Sequence, residues 1–414
     1  MPLIDSKNTR FLPYGRQDIT AEDISVVSDV LRSDWLTQGP QIDRFEAGLA
    51  SAVGASHAVA CANGTAALHL AMLALKIGEG DEVVTSPNTF LASANCARFV
   101  GAEVRFADVD ASTGLMDPES LEAVLAADID HKIKAIIPVH FAGQPVDLVR
   151  IHELAEKHGA RIVDDACHAI GARYTSSDTE FRVGSSPHSD MTVFSFHPVK
   201  HVAAGEGGAV TTNDGTLAAR LRRFRCHGMQ KDGFVNMDMA LCSDGQTNPW
   251  YYEMQEIGYN YRLTDIQAAL AASQLTRLPQ SLSQRNQIAR EYRSLLSAYF
   301  PQRSVVSLDV RPDIFHAYHL FVVQIDFDCF DVSRAELMNR LRQSGIGTQV
   351  HYIPVPAQPY YQNRYAHKPG YFAQTERYYE RALSLPMFPG LDRADCERVV
   401  ETLHIILTGA RVTA

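Results

Sequence analysis

KAIIPVHFAGQPVDLVRIHELAEKHGARIVDD, residues 134–165, carries two short apolar runs, 134–141 and 161–165, on either side of a segment with helical spacing. Runs of this length read as strands, and a strand that returns through a helix re-enters its sheet in parallel, with a right-handed crossover. The rhythm extends towards the N-terminus, where residues 82–86 (EVVTS) and 103–109 (EVRFADV) are further strands alternating with helical segments. It extends towards the C-terminus as MTVFSF (191–196) and GAVTT (208–212), now without a long helix between them. The alternation predicts an α/β architecture built on a mostly parallel sheet flanked by helices.

Outside this core, residues 18–32 show helical spacing with acidic residues early and Arg32 late, as the helix dipole prefers. Residues 35–40 read as a loop, and Asn63-Gly-Thr65 opens a second apolar helix that Gly78 ends. Residues 172–189 and 228–250 are polar and turn-rich, which predicts loops. Helical patterns at 263–278 and 281–299 read as a connector into a second domain with a strand at 319–326, a helix at 333–343, a strand at 348–352 and closing helices.

Of the 414 residues, 46% are hydrophobic and 21% charged, the balance of an ordinary soluble protein with room for two domains. The net charge of −10 and the lack of a Lys/Arg block argue against nucleic acid or an anionic membrane as partner. The first fifteen residues lack the apolar core of a signal peptide, and no apolar run approaches membrane-spanning length. The seven cysteines are scattered without a CxxC, which suits reduced thiols in a cytoplasm and no zinc ribbon. His152 and His158 are six apart, not the four that HExxH needs, so no metal site is expected.

Several strand ends carry chemistry. Residues 191–196 stop at Pro198, and Lys200 is the next side chain able to reach back over the strand end. Gly205-Glu-Gly-Gly208 follows, small enough for backbone to approach something bulky. Taken alone, Lys200 reads as readily as a surface charge. Asn63-Gly-Thr-Ala66 offers free N–H groups at a helix start, an anion site or a plain cap. Asp164 and Asp165 end the strand at 161–165, where ligands of open parallel sheets collect, and the spacing does not choose between them. Phe90 is either core packing or a stacking plate, and Ser195 adds a hydroxyl. One cofactor uses a phosphate cradle, a carboxylate, an aromatic plate, a hydroxyl and an amine together: pyridoxal 5′-phosphate.

The segments NGTAAL, SPNTF, VDDACHAIGA, FSFHPVK, GEGGAV and IGYNYRLTDIQAAL, in this order, resemble the sugar aminotransferases of the DegT/DnrJ/EryC1 family, from about Tyr14 to the last helices. The resemblance implies fold type I: a large domain, 15–275, with a mostly parallel seven-stranded sheet, and a smaller α+β C-terminal domain, 276–414, near which residues 1–14 pack. It implies Lys200 as the imine-forming base, Asp165 as partner of the pyridinium nitrogen and His168 near the ring hydroxyl. Phe90 becomes the stacking ring, and Thr65, Ala66 and Ser195 become phosphate ligands. Asn260 and Arg262 fall in a segment that reaches the neighbouring subunit, which implies a homodimer with shared active sites. PYGRQDIT, SDWLTQGP, SFHPVK and VHYIPVPAQPYY are similar to the pseudaminic-acid branch, implying a UDP-4-keto-6-deoxy-N-acetylhexosamine as acceptor and L-glutamate as donor. Branches acting on UDP-4-keto-pentoses or dTDP-keto-hexoses share these core motifs. Keto-sugar dehydratases of the family carry histidine where this chain has Lys200. A non-catalytic ligand-binding regulator would need an added domain that the sequence does not show.

Overall fold

The computed structural model describes residues 10–185 and 187–409; residues 1–9 of the expected N-terminal segment lie outside it. Its centre is a seven-stranded sheet of β1 (His57–Cys61), β2 (Glu82–Thr85), β3 (Glu103–Phe106), β4 (Ile133–Ile137), β5 (Arg161–Asp165), β6 (Met191–Ser195) and β7 (Gly208–Thr212). The spatial order is β1-β7-β6-β5-β4-β2-β3. Strands β6, β5, β4, β2 and β3 pair in parallel, whereas β7 runs antiparallel to both β6 and β1. Six strands therefore share one direction, and their carboxyl ends lie along one edge of the sheet.

Alternation along β5 assigns its two faces. Ile162 packs into a core cluster with Phe45, Ile136 and Phe194, and Val163 into a second one with Val59, Ile137 and Met191. Helices cover both faces: α1 (Ala21–Arg32), α2 (Pro40–Val53), α3 (Gly64–Ala74), α4 (Leu91–Phe99), α5 (Pro118–Ala126), α6 (Leu148–His158), α7 (Gly215–Arg225) and α8 (Asp265–Thr276). Cluster membership puts α2, α5, α6 and α8 on the Ile162 side and α3, α4 and α7 on the Val163 side. Thr20 and Asp23 form a reciprocal capping box at the start of α1. Pro40 opens α2, and Gly54, at φ 82°, ends it in the left-handed region.

The 22-residue α9 (Leu278–Tyr299) leads into a third core cluster built on Tyr292, Phe321, Leu337 and Val400. Here an antiparallel sheet, in the order β8 (Val305–Ser307), β9 (Phe321–Ile325), β10 (Ala382–Leu385), packs with α10 (Arg334–Gln343), and α11 (Arg393–Thr408) closes the chain. Leu12 joins this cluster, and its N–H donates to the Gly345 carbonyl at 2.9 Å.

Three sequence expectations are corrected. Residues 172–189 are not only loop: Arg173–Ser176 and Thr179–Arg182 form a hairpin joined by Ser177 and Asp178, both at positive φ. Each strand is four residues long with a single aromatic, Tyr174 or Phe181, too short for an alternation to register, so periodicity could not find them. Residues 228–250 likewise hold Met229–Gln230, which pairs with Glu253–Met254, and a short helix at Met237–Ala240. Residues 348–352 are not a strand; Gln349 makes a single bridge to Ser384, and the chain then turns away. That departure carries His351 and Tyr352 to the active-site edge. α2, β1, β8 and β10 have no counterpart in the sequence reading.

Candidate active site

The strand ends assemble the site. After β6 the chain doubles back: Phe196 N–H donates to Gly207 O, Ala204 N–H to Phe196 O and Lys200 N–H to His197 O, each at 2.8 Å. Pro198 cannot extend the strand, so this loop lifts the lysine over the sheet edge. The Lys200 amine stands 3.5 Å from His319 Nε2. Burial lowers its pKa below the usual lysine value, against the opposing pull of Cys167 and the Asp165 carboxylate. A lysine with a lowered pKa has a larger neutral, proton-accepting fraction near neutrality.

Asp165 ends β5 on the Val163 side. Its Oδ2 accepts from Ser93 Oγ, on α4, at 2.6 Å, and its Oδ1 from the Cys167 N–H at 3.1 Å. Both oxygens are anchored, which fixes the carboxylate plane. Asp164 points to the other face, as a strand requires of its neighbour, and accepts from Thr192 Oγ1 at 3.2 Å.

The Ala142 N–H donates to His168 Nδ1 at 3.3 Å. Since a backbone N–H can only donate, the neutral ring carries its proton on Nε2, which lies 3.1 Å from Tyr352 Oη. Burial, and then the charge of Lys200, hold the pKa of His168 well below the usual histidine value. The His168 ring lies 4.3 Å from that of His319.

The N-terminus of α3 faces Ser195. Asn63 caps the helix, its Oδ1 accepting from the Ala66 N–H at 2.8 Å, and the Ala67 N–H bonds the Asn63 carbonyl at 3.0 Å. The Gly64 and Thr65 N–H groups have no partner among the described residues. Of the two expected backbone ligands, Thr65 is free to donate, whereas the Ala66 N–H serves the cap. The cradle is close-packed: a Cβ on Gly208 would lie 2.4 Å from the Asn63 carbonyl, and one on Gly64 3.0 Å from Ser195 Cβ. Phe90 caps α4 with its ring 56% exposed and 6.1 Å from Tyr352.

This set fits pyridoxal 5′-phosphate. Two orphan N–H groups at a helix N-terminus and the Ser195 hydroxyl suit a phosphate, Asp165 suits a protonated ring nitrogen, Phe90 offers a plate, and Lys200 an amine of lowered pKa. Asn260 and Arg262 do not join it within one chain. Asn260 is exposed, Arg262 Nη1 donates to Cys226 Sγ at 3.2 Å, and Tyr261 between them accepts from the Ala62 N–H at 2.8 Å. The sequence reading missed Ser93, His319 and Tyr352. Ser93 sits in a helical run with no marker, His319 opens the apolar run at 319–326, and Tyr352 closes the alternating run at 348–352. Among the described residues no cluster of histidine, cysteine or carboxylate side chains has the geometry of a metal site. No helix there is long and apolar enough to cross a membrane.

The sequence profile of the DegT/DnrJ/EryC1/StrS aminotransferase family matches residues 17–404. The spore coat polysaccharide biosynthesis protein SpsC of Bacillus subtilis is 40% identical over 405 residues, covering 98% of this chain and 99% of that one. Helicobacter pylori PseC, an aminotransferase of pseudaminic acid biosynthesis, superimposes with a TM-score of 0.85 at 27% identity, over 97% of this chain and 100% of its own. The PLP form of the sugar aminotransferase Spr1654 of Streptococcus pneumoniae does so with 0.83 at 27%, over 96% and 98%.

Proposed function

The chain belongs to the DegT/DnrJ/EryC1/StrS aminotransferase family, and on that premise we propose that it aminates C4 of a UDP-4-keto-6-deoxy-N-acetylhexosamine with L-glutamate as donor. Like its relatives it is a fold type I, pyridoxal 5′-phosphate-dependent aminotransferase acting in sugar biosynthesis. When bound, the cofactor supplies a carbonyl that captures amines and a ring that takes up the electron pair freed at the neighbouring carbon.

The protein's own groups do the rest. Lys200 would hold the cofactor, and its freed amine would take up the proton that leaves the donor's Cα; its lowered pKa supports that role. Asp165, oriented by Ser93 and the Cys167 N–H, keeps the ring nitrogen protonated. His168, whose Nε2 lies 3.1 Å from Tyr352 Oη, would face the ring hydroxyl. Gly64, Thr65 and Ser195 would hold the phosphate, and Phe90 would cover the ring. The observation that carries this reading is the meeting of Lys200, Asp165 and the α3 N-terminus at neighbouring strand ends.

Dimerisation completes the site in this reading, with Asn260 and Arg262 turned towards the neighbouring subunit. The exposed apolar side chains of the same excursion, Val235, Trp250 and Ile257 at 79%, 75% and 75% exposure, support an interface there. The seven unpaired cysteines support a cytoplasmic setting.

Incubation with glutamate and a panel of nucleotide keto sugars tests the assignment. The UDP-N-acetyl-4-keto-6-deoxy sugar is expected to be aminated most efficiently, and preference for a keto-pentose or a dTDP sugar would overturn the substrate. Lys200→Ala is expected to lose at least ~10³-fold in kcat with its fold intact. Full activity in that variant would sink the mechanism.

A further inference from the structure

Behind the Lys200–His201 turn lies a cavity of about 170 Å³, bordered by Arg16, Arg277, Gln284 and Arg285. It is far larger than one water needs and smaller than the ~300 Å³ at which pockets for drug-sized ligands begin, so it suits a small molecule and not a nucleotide sugar.

Its charge is unbalanced. Arg277 is neutralised, pairing with Asp23 and with Asp18 at 3.2 Å; Asp18, which also borders the cavity, is thereby occupied. Arg285 is only 1% exposed and has no carboxylate partner among the described residues. Its Nη1 donates to the carbonyls of Tyr318, Met387 and His319 at 3.0, 3.1 and 3.4 Å, while Nε has no acceptor. Ser281 Oγ, one turn earlier on α9, also lacks one. Burial pushes the guanidinium down to about 10, still charged at neutral pH. Arg16 is exposed and likewise has no acidic partner among the described residues. A buried cation without a counter-ion is costly, and a ligand anion removes that cost.

We propose that this cavity receives a carboxylate of the acidic amino donor and of its keto acid, L-glutamate and 2-oxoglutarate, with Arg16 and Arg285 as the cations that hold it beside Lys200. The proposal rests on the transaminase reading above and adds the donor's recognition site. Free phosphate is the other anion of this size and charge.

Calorimetric titration of the cofactor-loaded protein with 2-oxoglutarate and with inorganic phosphate tests it, in the wild type, Arg16→Gln and Gln284→Glu. Arg16 is exposed and Gln284 lies on a helix surface, so neither change threatens folding as loss of Arg285 would. The wild type is expected to bind 2-oxoglutarate, and each variant to weaken that binding about tenfold or more, Arg16→Gln by losing a charge-assisted hydrogen bond and Gln284→Glu by setting a negative charge against the anion. The KM for glutamate should rise in step, while the KM for the keto sugar stays put. Unchanged 2-oxoglutarate binding in both variants overturns the proposal, as does a site that takes phosphate and excludes 2-oxoglutarate. If the wild type turns over no keto sugar yet the variants lose 2-oxoglutarate, the reaction assigned above fails and the anion site stands. If turnover is normal and the KM for glutamate does not move, the reaction stands and the site fails.

Discussion

On one face of the sheet, Asp165 meets Ser93 and the Cys167 amide within the field of Lys200. On the other face, Asp164 meets Thr192 and, at 3.7 Å, the Nε2 of His140, in a polar patch that extends to Tyr174 and His188. Both carboxylates are buried, adjacent in the chain and at the same strand end. What separates them is the face. Asp165 looks over the sheet edge at an amine and a helix N-terminus, whereas Asp164 looks into helices that cover the sheet's back. Its neighbour His140 is tied in by the Val146 N–H, which donates to His140 Nδ1 at 3.1 Å, a contact that fixes structure and no ligand. A buried carboxylate thus takes its role from the surface it meets, not from its place in the sequence.

The contrast can be broken most directly by exchanging each aspartate for asparagine. Asp165→Asn is expected to lower kcat by ~10²–10³ with little change in melting temperature, since the ring nitrogen loses its anion. Asp164→Asn should leave kcat within a few-fold and lose ~1–3 kcal/mol of stability, the cost of disturbing a buried polar partner. Reversed outcomes in activity assays and thermal melts would transfer the catalytic role to Asp164.

Gly208→Ala probes the phosphate side of the same face. The added Cβ would meet the Asn63 carbonyl at 2.4 Å and push the α3 N-terminus off Ser195. Cofactor affinity, followed by the visible absorbance, should fall about tenfold or more while the α/β fold persists. Undiminished affinity would mean that the helix start does not hold the phosphate.

A smaller effect is expected of Tyr352→Phe, which removes the partner of His168 Nε2. A loss of one hydrogen bond, about 1 kcal/mol, corresponds to roughly a five-fold change in kcat/KM. No change in kcat/KM would reduce Tyr352 to a packing residue.

The buried histidines on the active-site side make stability depend on pH. Burial pushes His316 and His351 down to about 3. Their unfolded forms take up protons near pH 6.5 while the folded ones stay neutral, so the unfolded state binds more protons below that pH. Stability is full above about 6.5 and falls towards pH 3, by up to ~1.4 kcal/mol per pH unit for each. Melting temperatures measured over that range check it; His351→Gln should flatten the slope, and an unaltered slope would contradict the assignment.

Much of the fold was legible because burial on both faces leaves a clear mark. β2 to β5 are apolar runs between helices, β6 and β7 two more in close succession, and the helix starts at Thr20 and Asn63 carry their own capping residues. The hairpin at 173–182 was not legible, since each of its four-residue strands carries one aromatic and no repeat. Tyr352 was not either, because five residues with alternating character look like a strand whether or not a partner strand is present.

The sequence by itself determined that Lys200, Ser195 and Asp165 stand at strand ends and Asn63-Gly64 at a helix start, for periodicity and helix caps are local properties of the chain. It also determined that Asp164 and Asp165 face opposite ways, since side chains alternate along a strand. Which carboxylate meets the lysine was decided only by packing: Val202 and Ala204 of the loop after β6 bury on the Ile162 side, while the Lys200 amine feels Asp165 and α3 and α4 cover the Val163 side. The same holds for His319 and Tyr352, which reach Lys200 and His168 from 119 and 184 residues away. Contacts at that separation depend on how whole layers pack, and no local pattern encodes them.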